Sequence, residues 1–321
     1  MHCSKRVGNG CKPLSELPPV PPTPKSTAAQ WAPLARFIDA DARLGRWAAR
    51  RRATAFIYEF VRFGVKQAWA CLFGAVMLAL IIGTYLWYPP GAALHRYDFI
   101  FLMAVAAQAG MLAFKFETLD EAKVILIYHI VGTVMEVFKT DVGSWVYPGA
   151  SVFHIGGVPL FSGFMYASIG SYLARAWRLF DFRFLHHPPL WSVNLLAFAI
   201  YANFFAHHYV LDLRIVLFAA AALLFGRTWV YYRIHRSYRR MPLLLGLFLV
   251  ALFIWIAENL ATASKTWLYP HQLAGWAAVP LAKLGSWFLL LIISYALVAM
   301  VNRPQPVEQR ATTKMPEPRR A

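Results

Sequence analysis

The sequence predicts an all-α, polytopic membrane protein: a bundle of about eight transmembrane helices with a partial parallel internal repeat. Three observations predict it. The 321 residues are 59% hydrophobic and only 15% charged, with a mean hydropathy of +0.47; soluble domains carry about a quarter charged residues. Eight apolar runs approach the ~20 residues that a helix needs to cross a bilayer. Of the 32 Lys and Arg residues, 27 fall in the termini and in alternate connections, which is the positive-inside pattern with both termini cytoplasmic.

The elements follow in chain order. Residues 1–33 form a Pro-rich cytoplasmic tail, with six prolines between 12 and 24, and are expected to be disordered. No signal-peptide core precedes the first span, which serves as its own insertion signal. Residues 34–64 mix Arg43, Arg46, Arg50 and Arg62 with Leu44, Trp47, Phe56 and Phe60, the pattern of a basic amphipathic helix on the inner leaflet. The spans are placed at 65–88, 97–114, 123–141, 152–174, 190–206, 211–231, 241–262 and 280–301. The membrane domain thus covers 65–301, in halves 65–185 and 186–301. The third span follows a charged segment, Lys115 to Lys123, read as a tight turn of balanced charge. The tail 302–321 is polar, Pro-rich and expected to be disordered.

Charge and cysteines narrow the function. The net charge of +17 faces the anionic inner leaflet of a bacterial cytoplasmic membrane, so nucleic acid is not expected as a partner. Cys3 and Cys11 lack the spacing and histidine partners of a zinc site. Cys71 is a packing residue. No cofactor motif is present.

Two stretches repeat at an offset of 122 residues. Glu136, Thr140, Trp145, Tyr147 and Pro148 return as Glu258, Thr262, Trp267, Tyr269 and Pro270. Gly163 returns as Gly285. The offset carries spans 3 and 4 onto spans 7 and 8, so an even number of helices separates the copies, as in a parallel repeat. An interfacial aromatic belt accounts for Trp and Tyr beside Pro. It does not account for the acids. Glu136 and Glu258 lie roughly 18 and 22 Å along their spans, below the headgroups. Intramembrane carboxylates normally face a cavity, pair with a cation or carry protons.

Other polar residues join these candidates. His129, Thr133, Glu136 and Thr140 share one helix face, and Gly132 allows close helix approach. Lys283 enters the last span at the depth of Glu258 and is its candidate counter-ion. Tyr166 is the residue of span 4 expected to face a cavity. His207, His208, Asp212 and Arg214 form a polar cluster on the outer side. Metal binding, proton handling, substrate hydrogen bonding and interfacial structure all remain open for it, and the metal signal is weak without further ligands.

Several segments together resemble one family. They are Lys115-Phe116-Glu117-Thr118, the run from Glu136 and Lys139 to Gly143-Ser144-Trp145-x-Tyr147-Pro148, and Pro159 through Ala167. His207-His208-Tyr209 with Asp212 and Arg214, Ile256-Ala257-Glu258-Asn259 with Ala261-Thr262, and Gly285-Ser286-Trp287-Phe288-Leu289-Leu290 complete the set. In this order they are similar to the bacterial membrane family called domain of unknown function 817, over roughly Phe56 to Val301. The resemblance implies a multi-pass membrane protein and no particular activity. The chain departs from the family pattern at Ser264-Lys265-Thr266, where a glycine is expected. The Glu–Gly-Ser-Trp-x-Tyr unit also resembles, distantly, the membrane carotenoid hydratases and cyclases.

Three functions follow from these residues. A small-solute or ion-coupled permease using Glu136 and Glu258 comes first, because the halves are alike. An enzyme on an apolar lipid or isoprenoid uses one glutamate as general acid and predicts asymmetry between the two acids. A noncatalytic scaffold or sensor uses the glutamates only to pair Lys283 or His129.

Overall fold

The computed structural model describes residues 52–234 and 238–307. The expected tail 1–33, the first part of the amphipathic segment (34–51) and residues 308–321 lie outside the described residues. The fold is mainly helical, 67%, with short strands that an all-α expectation lacks. A helix lies at each expected place. These are α1 (Arg52–Ala70), α2 (Leu72–Trp87), α3 (Arg96–Ala113), α4 (Leu119–Asp141), α5 (Phe161–Phe180), α6 (Leu190–Ala206), α7 (Arg214–Phe225), α8 (Leu243–Ala263) and α9 (Ala282–Val301). By length and composition, α8 and α9 can each cross a membrane, and α1 with α2 adds a third candidate bent by 67°. These apolar helices are compatible with membrane association.

The boundaries have local causes. The amphipathic helix runs on to Ala70, so the first apolar run starts at Leu72 rather than 65. On α1, Phe56, Ile57, Phe60 and Val61 are exposed, as an interfacial helix requires. α4 begins with a capping box: Thr118 Oγ1 accepts from the Glu121 amide, and Glu121 Oε2 accepts from the Thr118 amide. The run expected to open the fourth span at 152 instead makes a hairpin, β1 (His154–Ile155) with β2 (Val158–Pro159), turning at Gly156 and Gly157, both at positive φ. α7 stops at Phe225. The rest of that expected span pairs as β4 (Trp229–Arg233) between β3 (Arg183–Leu185) and β5 (Tyr238–Pro242). Residues 302–307 run back along β3, where the Phe184 amide donates to Gln305 O at 2.9 Å.

Helices α5 and α9 organise the bundle. α5 packs against α1, α2, α3 and α4; α9 packs against α6, α8 and α4; and the two pack on each other. Close approach of α4 to α5 depends on glycine. A Cβ on Gly132 would meet Tyr166 at 2.7 Å, and one on Gly170 would meet Tyr128 at 2.7 Å. At one end, the loop end, the segments after α4 and α8 are joined. Val146 and Leu268, 122 residues apart, exchange two backbone hydrogen bonds of 2.9 Å. The three-stranded sheet closes the other end. There α1 docks through Lys66, whose Nζ donates to Leu179 O and Arg233 O at 2.8 Å each.

Candidate functional site

A cleft of about 1080 Å³ runs through the molecule. Its walls come mainly from α1, α2, α5, α8 and α9, and are almost wholly apolar. On α8 the lining reaches from Leu243 to Ala261, roughly 27 Å at 1.5 Å per residue. Leu249 and Phe253 belong to the wall and are also exposed, so the cleft opens sideways. Its charged residues gather at the loop end: Glu136, Lys139, Arg214, Glu258 and Lys283, with Asn203 and His207 beside them.

Glu136 is 3% exposed. Its Oε2 accepts from Trp145 Nε1 at 2.8 Å and from the Tyr147 hydroxyl at 2.6 Å, while Oε1 accepts from the Tyr166 hydroxyl at 2.8 Å. Glu258 is 4% exposed. Its Oε1 accepts from the Tyr269 hydroxyl, and Oε2 accepts from Trp287 Nε1 at 2.8 Å. The two sets interlock. Tyr166 packs on Trp287 with ring centroids 6.2 Å apart, and Trp145 meets Tyr269 edge-on at 6.0 Å. Burial, then the charge of the adjoining carboxylate, pushes the Tyr147 and Tyr269 hydroxyls well above the ordinary phenol range. They therefore act as donors to the acids.

Among the described residues no ion pair joins Lys283 to either glutamate. Its Nζ lies 4.4 Å from the Tyr269 ring centroid and 5.3 Å from that of Trp145, a cation–π placement. Lys139 is buried beside the acids, one helical turn from Glu136. Its Nζ is 2.6 Å from His208 Nε2, 3.4 Å from His207 Nε2 and 4.2 Å from the Phe204 ring centroid. His207 Nδ1 is 2.9 Å from Asn203 O, so the Nδ1–H tautomer leaves Nε2 free to accept from Lys139. Asp212 is taken by Arg214, through Nε at 2.5 Å and the amide at 3.0 Å.

The sequence candidates thus divide. Trp145, Tyr147, Tyr269 and Lys283 meet at the acids, and His207, His208 and Arg214 adjoin them through Lys139 and the cleft wall. Among the described residues His129 and Thr133 make no hydrogen bond to Glu136: Thr133 Oγ1 donates to His129 O at 2.7 Å, and the His129 ring packs on Phe164 at 4.5 Å. Thr140 Oγ1 is buried without a partner. Trp267 lines the cleft, but Trp287 supplies the indole donor to Glu258.

Trp287 and Lys139 were missed as site residues. Both stood in family-like segments, which was the available signal. Three further acids, Asp98, Glu117 and the α4 cap residue Glu121, are buried and stand outside the sequence candidates. Asp98 Oδ1 accepts from Ser151 Oγ at 2.7 Å and, with Oδ2, from the amides of Val152 and Phe153, anchoring the β1–β2 hairpin. Glu117, in the segment expected to be a tight turn of balanced charge, is paired with Arg175 at 2.5 Å with neither side chain exposed.

Comparison with known proteins places these residues in context. The family model described as "Protein of unknown function (DUF817)" matches residues 59–295. The uncharacterized protein YoaT of Bacillus subtilis (strain 168) is 43% identical over 258 residues, 80% of this chain and 96% of that protein. A solved cross-linked trimer of MvINS covers 59% of this chain and 98% of its own, at 16% identity and a TM-score of 0.39, too low to define a shared fold.

Proposed function

This chain belongs to the DUF817 family of unknown function, and we propose that it is a multi-pass membrane carrier for an amphiphile. The reading puts all eight helices α2–α9 across a bacterial inner membrane, with both termini and the sheet end cytoplasmic. Residues 65–185 and 186–301 are two parallel halves. The observation that carries the function is the cleft. It is apolar along roughly 27 Å of α8, close to the ~30 Å hydrocarbon thickness of a bilayer, and it opens sideways. A hydrated ion or small polar solute gains nothing from such walls, whereas an acyl or isoprenoid chain is at home there. The permease expected from the duplicated acids therefore becomes a carrier of lipid-class molecules. The polar end of the ligand lies at the loop end, on the side of the cleft that holds Lys283, Glu136 and Glu258.

The test is transbilayer movement of fluorescent lipids in proteoliposomes, read by quenching from one side. The wild type should accelerate it. Ala257→Trp, which fills the cleft beside Glu258, should return it to the rate of empty liposomes. No acceleration for any of a range of headgroups would sink the carrier reading.

Acid chemistry on an apolar isoprenoid is the second reading, and one observation favours it. The two acids are unlike: Glu136 accepts from three donors and Glu258 from two. An ionised carboxylate has about four lone-pair positions, so Glu258 keeps more capacity to act on a ligand. A changed lipid mass after incubation with the purified protein would select this reading over transport.

A further inference from the structure

We propose that Lys139 and Lys283 form a binding site for a phosphate group at the loop end of the cleft. The proposal rests on the reading of the cleft as an amphiphile site and names the headgroup. Three observations carry it. Lys139 is 4% exposed, yet no carboxylate lies in ion-pair contact with it among the described residues; its contacts are two imidazole nitrogens and a phenyl ring. Lys283 Nζ lies over the Tyr269 and Trp145 rings; Glu258 and Glu136 are near enough to act on its charge, but among the described residues it has no hydrogen bond to either. Both lysines line the same cleft together with Arg214 and His207.

The nearby acids are engaged elsewhere. Asp212 is held by the Arg214 guanidinium and by the Arg214 amide. Glu136 and Glu258 have their oxygens on five Trp and Tyr donors. An ammonium group carries three donors and no acceptor, and a desolvated cation is stable only when paired. The unmet N–H groups of two lysines in one wall therefore call for an acceptor-rich anion. A phosphate supplies several charged oxygens that can bond both lysines at once. The apolar walls beside them receive whatever chain the phosphate bears.

The phosphate has two possible sources, a lipid headgroup or free phosphate, and binding to the full chain in detergent separates them. The probes are dioctanoyl phosphatidate, dioctanoylglycerol and inorganic phosphate. The proposal expects phosphatidate to bind at least about tenfold more tightly than dioctanoylglycerol. Lys139→Met and Lys283→Met should each weaken phosphatidate by about tenfold or more and leave dioctanoylglycerol unchanged. Lys283→Arg, which keeps the charge, should retain binding and so report on folding. Equal affinity for the two lipids, unaltered by the lysine variants, would overturn the phosphate site and leave the amphiphile cleft standing. Lysine-dependent binding of inorganic phosphate with no binding of either lipid would support the anion site and overturn the amphiphile reading.

Discussion

Lys265 adopts the left-handed conformation, φ 53°, that Gly143 adopts at φ 71°, 122 residues earlier in the chain. The surrounding bonds match as well. Ser144 N donates to Lys139 O and Gly143 N to Thr140 O; Thr266 N donates to Ala261 O and Lys265 N to Thr262 O. Both α4 and α8 thus end in the same Schellman-type cap, and the departure from the family glycine leaves the backbone path intact. A non-glycine residue in this conformation costs about 1–2 kcal/mol. Lys265 is exposed and its side chain makes no described hydrogen bond. Lys265→Gly should therefore stabilise the protein by about 0.5–1 kcal/mol after the larger unfolded-state entropy of glycine is counted. Thermal unfolding in detergent reads this directly, and a lower midpoint would refute it.

Glutamine at the acids separates charge from structure. Trp145 and Trp287 are donors only, so an introduced amide must keep its oxygen toward the indole and turn its NH₂ toward Tyr166 or Tyr269. A tyrosine hydroxyl can reverse and accept. Glu136→Gln and Glu258→Gln should each change stability by less than about 1 kcal/mol and still abolish lipid movement. Folded variants with full transport would show that neither acid takes part.

The pair Arg175–Glu117 makes the opposite prediction. Arg175 Nη2 also meets Met111 Sδ at 3.6 Å and Nη1 donates to Trp69 O at 3.0 Å, while Glu117 also accepts from Gln108 at 2.5 Å and Ser171 at 2.7 Å. Removing one member strands the other charge in the core, at about 3–5 kcal/mol. Arg175→Met should lower the unfolding midpoint sharply. Adding Glu117→Gln, whose carbonyl oxygen can accept from Gln108 while its NH₂ turns to the Ser171 hydroxyl, which can accept, should recover much of the loss. If the double variant is no more stable than Arg175→Met, the ion pair is not what Arg175 contributes.

The helices were legible because apolar runs and proline-rich breaks are local signals, and the acids because a buried carboxylate is costly wherever it stands. Trp145, Tyr147 and Tyr269 followed from the repeat. Trp287 did not, since the repeat pointed to Trp267. Which indole reaches Glu258 depends on how α9 is rotated against α8, a tertiary property. Glu117 sits in a segment whose charges balance locally, so nothing nearby points to a buried partner; Arg175 lies 58 residues away. The sheet was hidden for a different reason. Trp229-Val230-Tyr231-Tyr232 is rich in strand-forming residues, but it directly continues an apolar helix and was absorbed into that span. Its partner β5, Tyr238–Pro242, carries two arginines and shows no alternation.

Acid should loosen the cluster around Lys139 first. His208 is exposed, so solvent weakens the effect: what burial it has, then the Lys139 charge, with smaller shares from His207 and Lys283, holds its imidazole modestly below the usual pKa. The unfolded chain therefore takes up this proton at a higher pH, near 6.5, than the folded protein does. The contribution of neutral His208 to stability is complete above about pH 6.5 and falls as pH drops through the lowered folded value. His187, whose pKa burial also lowers, adds a share of the same sign at the sheet end, so the variant must separate the two. Gln at position 208 offers Lys139 a carbonyl oxygen and carries no titrating group. His208→Gln should flatten the decline in unfolding temperature between about pH 6.5 and 5 relative to wild type, leaving the part due to His187. Identical pH profiles for variant and wild type would mean that His208 does not share its proton economy with Lys139.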